Sequence, residues 1–175
     1  MITPVLPAPA KTQCYHCGLD CETLDINIED LQHEETKFFC CEGCKSVYEI
    51  LNANDLCAYY GIENTPGISQ RKPIPPGKFA YLDNEGVKAA MLNFTDGVQS
   101  KVTFSIPQIH CSSCIWLLEN LYKLNPAITR STVNFPRKEL YITFNQTETN
   151  LREVVVLLAS IGYDPDIRSG NLLAK

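Results

Sequence analysis

Two cysteines at C-x-x-C spacing, Cys111 and Cys114, stand out among the residues that could do chemistry. They lie between an alternating apolar run and a helix-like pattern, so the spacing predicts two thiols in a turn where a helix begins. Backbone N–H groups and the positive end of the helix dipole favour thiolate over thiol at such a turn. Because thiolate binds soft metal ions and attacks disulfides, we expect the chemistry of the chain to lie here.

The residues alone leave three interpretations of this pair open. Two thiolates suit a soft ion such as Cu(I), and a site with only two protein ligands favours transfer of the ion over permanent storage. Thiol–disulfide oxidoreductases also use C-x-x-C at the start of a helix. Either cysteine could instead be a buried, inert thiol. The neighbouring His110 is expected to be solvated, with metal ligation as the alternative, and Ile109 and Tyr163 are expected to pack beneath the loop.

A second set of cysteines near the start of the chain has the spacing of a structural metal site. Two C-x-x-C pairs, Cys14/Cys17 and Cys41/Cys44, are separated by 23 residues. This spacing predicts a tetrahedral sulfur site that closes a small domain. Zn(II) is the expected ion, with a regulatory or cargo copper site as the alternative. Because Cys40 directly precedes Cys41, it is an alternative ligand.

Nine cysteines are the outlier in a chain of 175 residues that is otherwise 45% hydrophobic and 20% charged. The sequence begins without the pattern of a secretory signal, so paired C-x-x-C spacing indicates reduced thiols and metal in the cytosol. The net charge of −5 argues against nucleic acid as a partner. Apolar runs are much shorter than the ~20 residues that span a bilayer. We therefore expect a soluble chain without direct membrane insertion, in which Cys57 is a core thiol.

Apolar periodicity divides the chain into three parts and predicts the α+β class. Residues 12–64 are expected to form a small Cys-rich module of zinc-ribbon or treble-clef-like type. Residues 65–97 start with a segment rich in proline and are expected to be a linker with a short helix. Residues 98–168 alternate strand and helix patterns in the order βαββαβ, which predicts a ferredoxin-like layer of two helices on one sheet.

Local signals place several boundaries within these parts. The helix after Cys41 is expected to bury one face, formed by Cys44, Val47, Tyr48 and Leu51. Ser112 or Ser113 is expected to cap the helix of the C-x-x-C loop. Asn150 is expected to start the last helix and Gly162 to end it, with a short strand over 163–167.

Longer stretches of the sequence resemble a known family. The run Cys-Ser-Ser-Cys-Ile-Trp-Leu-Leu-Glu-Asn-Leu from Cys111, with Val133-Asn134-Phe135 and Ile161-Gly162-Tyr163, resembles the heavy-metal-associated domain of copper-transporting P-type ATPases. Most members have Met where this chain has Ile109. Ile-His-Cys followed by Cys-x-Trp-Leu is similar to the branch that serves assembly of cbb3-type cytochrome oxidase. Phe39-Cys40-Cys41-Glu42-Gly43-Cys44, Val47-Tyr48 and Leu56…Tyr59-Tyr60 resemble the cysteine-rich domain that precedes the metal domain in that branch.

The resemblance implies that the chain is the N-terminal cytosolic region of such a pump, on the cytoplasmic side of the inner or plasma membrane. The parent protein would be a cation-translocating ATPase. The chain lacks the phosphorylated Asp-Lys-Thr-Gly motif and the Cys-Pro-Cys of these pumps, so we expect no enzymatic activity of this region itself. The implied partners are a cytosolic copper carrier or the pump's own membrane and nucleotide domains. Delivery of Cu(I) and regulation of the pump are both open.

Overall fold

The computed structural model describes residues 11–167, so residue 168, the end of the third predicted part, falls outside it. Helices and strands alternate irregularly along the chain, which confirms the α+β class. The strands are β1 (Asn27–Asp30), β2 (Glu35–Phe38), β3 (Leu92–Thr95), β4 (Gln99–Ser105), β5 (Ile128–Asn134) and β6 (Glu139–Asn145). The helices are α1 (Glu42–Ala53), α2 (Ala58–Ile62), α3 (Glu85–Met91), α4 (Ser112–Glu119) and α5 (Leu151–Ser160), with 3₁₀ turns at Ala80–Asp83 and Leu121–Lys123.

The cysteine-rich part consists of a short turn, a hairpin and a helix. The turn carries Cys14 and Cys17, and its flanks join through a single bridge between Gln13 and Asp20. The hairpin pairs β1 with β2 in antiparallel register. The helix α1 follows directly and buries the four residues predicted for its apolar face. This order of turn, hairpin and helix matches the expected treble-clef-like module.

The second part of the structure is a four-stranded antiparallel sheet with the order β3-β4-β6-β5. Register pairs Val102 with Ile142 and Phe104 with Leu140, and all four side chains are buried on one face. The helices α4 and α5 bury residues in the same apolar cluster. The order β4-α4-β5-β6-α5, followed by a final bridge, is the predicted ferredoxin-like arrangement.

The edge of this sheet differs from the expectation of a last strand over 163–167. That strand is reduced to a single bridge between Ser105 and Asp166. The reason is β3, which forms a hairpin with β4 and pairs along Ser100 to Val102 of the same edge. The segment 65–97 therefore contains a 3₁₀ turn, the predicted short helix α3 and a strand of the sheet.

The start of α4 also differs from the prediction. Its N-cap is Cys111 in an extended conformation, and neither Ser112 nor Ser113 occupies that position. Ser113 is instead the second residue of the helix and is buried. The start of α5 agrees with the prediction, because the Asn150 side chain accepts a hydrogen bond from the Glu153 N–H at 2.9 Å. Gly162 follows that helix with φ of 99°, a conformation that favours glycine.

The cysteine-rich part and the sheet share one apolar core. Leu51, Leu56 and Tyr59 are fully buried and belong to the same cluster as Leu117 of α4 and Tyr163. The helix α2 contacts α4 directly. Because a module of about fifty residues buries little apolar surface of its own and is only marginally stable, we expect the shared core to stabilise the cysteine-rich part.

The shared core predicts that a cavity in α1 destabilises the sheet as well. We expect Leu51→Ala to lower the free energy of unfolding by about 2–5 kcal/mol, whereas Leu31→Ala, at a side chain that is 86% exposed, should change it by less than about 0.5 kcal/mol. The measurement is urea unfolding followed by the fluorescence of Trp116, the only tryptophan and a residue of α4. An unchanged Trp116 transition in Leu51→Ala would show that the two parts unfold independently.

Candidate metal centres

Four cysteine sulfurs converge in the first part of the structure. Cys14, Cys17, Cys40 and Cys44 each offer one sulfur, and the four atoms lie within 4.8 Å of one another. We call this set the four-sulfur cluster. Its closest pairs join Cys17 to Cys40 at 3.6 Å, Cys40 to Cys44 at 3.7 Å and Cys44 to Cys17 at 3.8 Å.

These separations fit a tetrahedral metal ion. Four thiolates at the usual Zn–S distance of about 2.3 Å stand about 3.8 Å apart at tetrahedral angles. The three measured separations differ from that value by no more than about 0.2 Å. Two of the four cysteines are fully buried, so the sulfurs enclose a site with little access to solvent. The four-sulfur cluster can therefore hold Zn(II) as a closed, structural ion.

Cys41, which the C-x-x-C spacing placed among the ligands, lies outside this set. Its sulfur is 4.0 Å from that of Cys40 and accepts a hydrogen bond from the Cys44 N–H at 3.4 Å. Cys41 is therefore the N-cap of α1. The alternative ligand Cys40 takes its place in the set, because its sulfur lies 3.6 Å from that of Cys17 and 3.7 Å from that of Cys44.

A tight turn sets the first pair of sulfurs. The Gly18 N–H donates to the Cys14 carbonyl at 2.9 Å, and the Cys14 N–H donates to the Leu19 carbonyl at 2.8 Å. Gly18 has a φ of 75°, which a residue with a side chain rarely adopts. The turn thus brings Cys14 and Cys17 to the same side, facing the start of α1.

The segment predicted to be a linker closes over this site. The Gly67 N–H donates to the His16 carbonyl at 2.8 Å, and a Cβ at Gly67 would come within 2.2 Å of the His16 ring. Glycine is therefore required at this close approach. Three residues further on, the Gln70 N–H donates to the Cys44 sulfur at 3.4 Å. This contact involves a backbone group, so no residue type in the sequence signals it.

Hydrogen bonds among the thiols shift their pKa values in opposite directions. The thiols of Cys17 and Cys44 lower the pKa of Cys14 well below its usual range, since they stabilise its thiolate. The same coupling raises the pKa of Cys44. Burial raises the pKa of Cys40 to about 12. A metal ion bound by four thiolates must displace the protons that these thiols carry.

The other cysteines of this part differ in environment. Cys21 is half-buried against the aromatic residues that surround the four-sulfur cluster. Cys57 is exposed and donates a hydrogen bond to the Asn52 side chain at 3.0 Å. The prediction of a core thiol at Cys57 is wrong. The helix α2 begins only at the next residue, and the side chain buried at this point is that of Leu56.

The second candidate centre is the C-x-x-C loop. The sulfurs of Cys111 and Cys114 lie 3.1 Å apart, with Cys114 fully buried and Cys111 partly accessible. His110 is exposed, as predicted, yet its Nδ1 lies 3.4 Å from the Cys114 sulfur and 2.8 Å from the Gln108 carbonyl. These three residues form the other group of side chains, within the described part of the chain, that could hold a metal ion.

The loop is fixed from beneath. Ile109 and Tyr163 are fully buried, which confirms that both pack under it. The Lys138 ammonium group donates to the Ile109 carbonyl. Burial raises the pKa of Cys111 to about 11, with a further contribution from the Cys114 thiol. The backbone N–H groups of Ser113 and Cys114 at the helix start lower this pKa, as expected from the sequence, but burial and the Cys114 thiol outweigh them.

The positions of Cys40 and Cys41 predict that substitution of Cys40, but not of Cys41, weakens zinc binding. Cys40→Ser should weaken Zn(II) binding by more than about tenfold, because loss of a ligand costs more than loss of a group that orients one. Cys41→Ser should keep its zinc, since serine is itself a good N-cap. Elemental analysis after dialysis against a zinc chelator measures the difference. Zinc loss in Cys41→Ser with retention in Cys40→Ser would assign the ligand to Cys41.

The buried His16 predicts a loss of stability at acidic pH. Burial lowers its pKa to about 4 in the folded state, against about 6.5 in an unfolded chain. Between these values the unfolded state binds more protons, so stability falls as the pH drops from about 6.5 and levels off near 4, by about 3 kcal/mol in total.

His16→Asn is the matched variant, because its amide can still pair with the Tyr60 hydroxyl, which lies 2.9 Å from His16 Nδ1, but does not titrate. Urea unfolding of both proteins across this pH range, with the same zinc content, gives the comparison. The wild type should lose about 3 kcal/mol more than the variant. Parallel pH profiles would contradict the assignment.

Comparison with known proteins agrees with a metal-binding role for the first half of the chain. Residues 13–96 match the family model described as "Putative metal-binding domain of cation transport ATPase". No curated protein matches the chain. Among solved structures, the crystal structure of oxidized MerP from Ralstonia metallidurans CH34 is similar, with 22% identity and a TM-score of 0.36. That match covers 38% of this chain and 93% of MerP. The region 13–96 is thus similar to a metal-binding domain found in cation transport ATPases. Among residues 11–167, no helix has both the length and the apolar character needed to cross a membrane.

Proposed function

We propose that this chain is the metal-binding region of a copper-transporting P-type ATPase and that it carries Cu(I) between the sulfurs of Cys111 and Cys114. The region would lie on the cytoplasmic side of the membrane that holds the pump. The match of residues 13–96 to a metal-binding domain of cation transport ATPases supports the type of parent protein. The resemblance of the C-x-x-C run supports copper and the branch linked to cbb3-type oxidase.

The geometry of the C-x-x-C loop carries the proposal. Two sulfurs stand 3.1 Å apart at a helix start, one of them accessible and the other buried. A soft, monovalent ion accepts such a two-coordinate thiolate site. The accessible side at Cys111 leaves room for a thiolate of a donor or acceptor protein to join before a resident ligand leaves. This is the arrangement needed for cargo that is passed on.

The four-sulfur cluster has the opposite character, which supports a resident Zn(II) rather than cargo. Its four sulfurs, which lie within 4.8 Å of one another, would complete a tetrahedron around the ion and leave no open position. The segment containing Gly67 and Gln70 closes over it. We therefore assign Zn(II) a structural role in the first part of the chain and Cu(I) a transferable role in the second.

The main rival, a thiol–disulfide oxidoreductase, fits the C-x-x-C loop less well. Reactive thiols in such enzymes have a lowered pKa, whereas burial raises the pKa of Cys111 to about 11. A second rival is an interaction module that holds structural zinc alone. It predicts that metal content is independent of Cys111 and Cys114.

The role of the copper site has two forms that differ in partner. In delivery, the loop receives Cu(I) from a cytosolic carrier and passes it to the membrane domain of the pump. In regulation, Cu(I) binding changes a contact with the pump's membrane or nucleotide domain. We favour delivery, because the accessible Cys111 sulfur provides the entry that an exchange between two proteins requires.

The test is copper stoichiometry after anaerobic loading of the reduced, zinc-bound protein. Cys111→Ser/Cys114→Ser should lose one equivalent of Cu(I) that the wild type holds at about micromolar dissociation constant or tighter, because both ligands are removed. Competition with a chromogenic Cu(I) chelator measures it.

Cys21→Ser/Cys57→Ser is the matched control, since both cysteines lie outside the two candidate centres. It should retain the wild-type copper content and affinity. Equal copper binding by all three proteins would refute the proposed site. Disulfide-dependent reductase activity in place of copper binding would favour the oxidoreductase.

A further inference from the structure

The cysteine-rich part reaches the C-x-x-C loop through a carboxylate. Glu63 follows α2 directly, and its carboxylate accepts a hydrogen bond from the Ser112 N–H at 3.4 Å. Ser112 lies between the two cysteines of the loop and is the first residue of α4. A negatively charged side chain from the first part of the chain is therefore in direct contact with the backbone of the proposed copper site.

The packing of α2 positions this carboxylate. The helix contacts α4 directly. Just before α2, the Asp55 carbonyl accepts a hydrogen bond from the Lys123 ammonium group at 3.3 Å. Within α2, the Tyr59 hydroxyl lies 3.0 Å from that of Tyr163. Although the Glu63 side chain is exposed, the backbone that carries it is thus held against the sheet domain along the length of the helix.

The start of α4 provides a reason for the carboxylate to stay there. The first N–H groups of a helix have no acceptor within the helix, and they favour a negatively charged group. The side chain of the N-cap Cys111 makes no capping hydrogen bond, and the Glu63 carboxylate takes the N–H of Ser112. Among the described residues, Glu63 has no ion-pair partner, so its negative charge is not neutralised.

Covalent geometry limits how far this charge can be from a proposed copper ligand. The Ser112 nitrogen is bonded to the carbonyl carbon of Cys111, so the Cys111 sulfur lies within about 5 Å of that nitrogen. The carboxylate oxygen is then at most about 8 Å from the sulfur. This separation is shorter than the screening length of about 10 Å at 0.1 M salt. The two groups therefore interact electrostatically in dilute buffer.

The sign of this interaction opposes copper binding. A Cu(I) ion held by two thiolates leaves the site with one surplus negative charge. Metal binding releases the protons of the thiols, so the loop is less negative before the ion arrives than after it. The Glu63 carboxylate repels the added negative charge. It therefore disfavours the copper-bound loop relative to the free loop.

Resting on the Cu(I) site proposed above, we propose that Glu63 lowers the Cu(I) affinity of the C-x-x-C loop and thereby keeps the ion transferable. The cysteine-rich part thus influences a site to which it contributes no ligand. Sequence reasoning gave Glu63 no role, because the residue that it contacts lies 49 positions further along the chain.

The experiment measures the Cu(I) affinity of the reduced, zinc-bound chain by competition with a chromogenic chelator. Glu63→Gln removes the charge and keeps an oxygen that can accept from the Ser112 N–H. We expect it to bind Cu(I) about 3- to 10-fold more tightly than the wild type at an ionic strength of about 0.02 M.

Glu29→Gln is the matched control. Glu29 is an exposed glutamate of the same part and lies in β1, which pairs only with β2. The substitution changes the net charge by the same amount as Glu63→Gln. It should leave the Cu(I) affinity within about twofold of wild type, because interactions between distant exposed charges are screened.

Ionic strength separates this charge effect from a change in structure. At about 1 M, where the screening length is about 3 Å, Glu63→Gln and the wild type should agree within about twofold. Potassium sulfate sets the ionic strength, because chloride itself binds Cu(I). A structural role of Glu63 would instead change the affinity by the same factor at both ionic strengths.

Ser112→Pro tests the contact itself. Proline has no N–H and is favoured at the first position of a helix, and the preceding Cys111 already has the extended backbone that proline requires. The Glu63 carboxylate then loses the donor that holds it near the loop. Glu63→Gln should therefore change the affinity of the Ser112→Pro chain by less than about twofold.

Several results would overturn the inference while leaving the copper site intact. These are the absence of a gain in Glu63→Gln, an equal gain in Glu29→Gln, and a gain that persists at high ionic strength or in the Ser112→Pro chain. If Ser112→Pro does not fold, the comparison of the two ionic strengths decides alone. Copper binding that does not depend on Cys111 and Cys114 would refute the proposed function and this inference together.

Discussion

The packing of α2 against α4 is the contact on which the other features of the molecule depend. It places Leu56 and Tyr59 in the core of the sheet domain, so that a small module with little apolar surface of its own becomes part of a larger apolar interior. A metal ion in the four-sulfur cluster would fix the start of α1, and α1 leads directly into α2. The stability of the first part and the packing beneath the C-x-x-C loop therefore depend on the same apolar core.

Both candidate centres consist of cysteine sulfurs, but the two differ in how deeply these sulfurs are buried. The four-sulfur cluster has a complete set of donors and a backbone segment that closes over it, so release of an ion requires that this segment move. The loop of Cys111 has two donors and an accessible sulfur, so an ion can leave without any change of fold. The raised pKa of Cys111 adds a further difference, because a metal ion must displace a proton from that thiol in order to bind there.

Local patterns predicted the elements well and the contacts between them poorly. The buried face of α1 and the cap at Asn150 follow from spacing within one helix, and both were found. The choice between Cys40 and Cys41 depends on which of the two is the N-cap of α1, and adjacent identical residues carry no information about that. The segment near Gly67 was predicted to be a linker because proline and glycine are frequent there. Its close approach to His16 is a long-range contact that no local pattern reports.

The short strand β3 has a consequence for how the protein behaves at high concentration. A β-sheet attracts other chains through the unpaired backbone groups of its outermost strands. On one side the edge strand is β3, which has only four residues and an irregular register between Leu92 and Phe94. On the other side, the Val133 N–H of β5 is bonded to the Glu119 side chain at 3.1 Å, and the ladder is irregular between Ile128 and Arg130. Neither edge strand therefore offers a long, regular row of free backbone groups to another chain. We expect the domain to resist edge-to-edge association of its sheet and to contact other molecules through its loops.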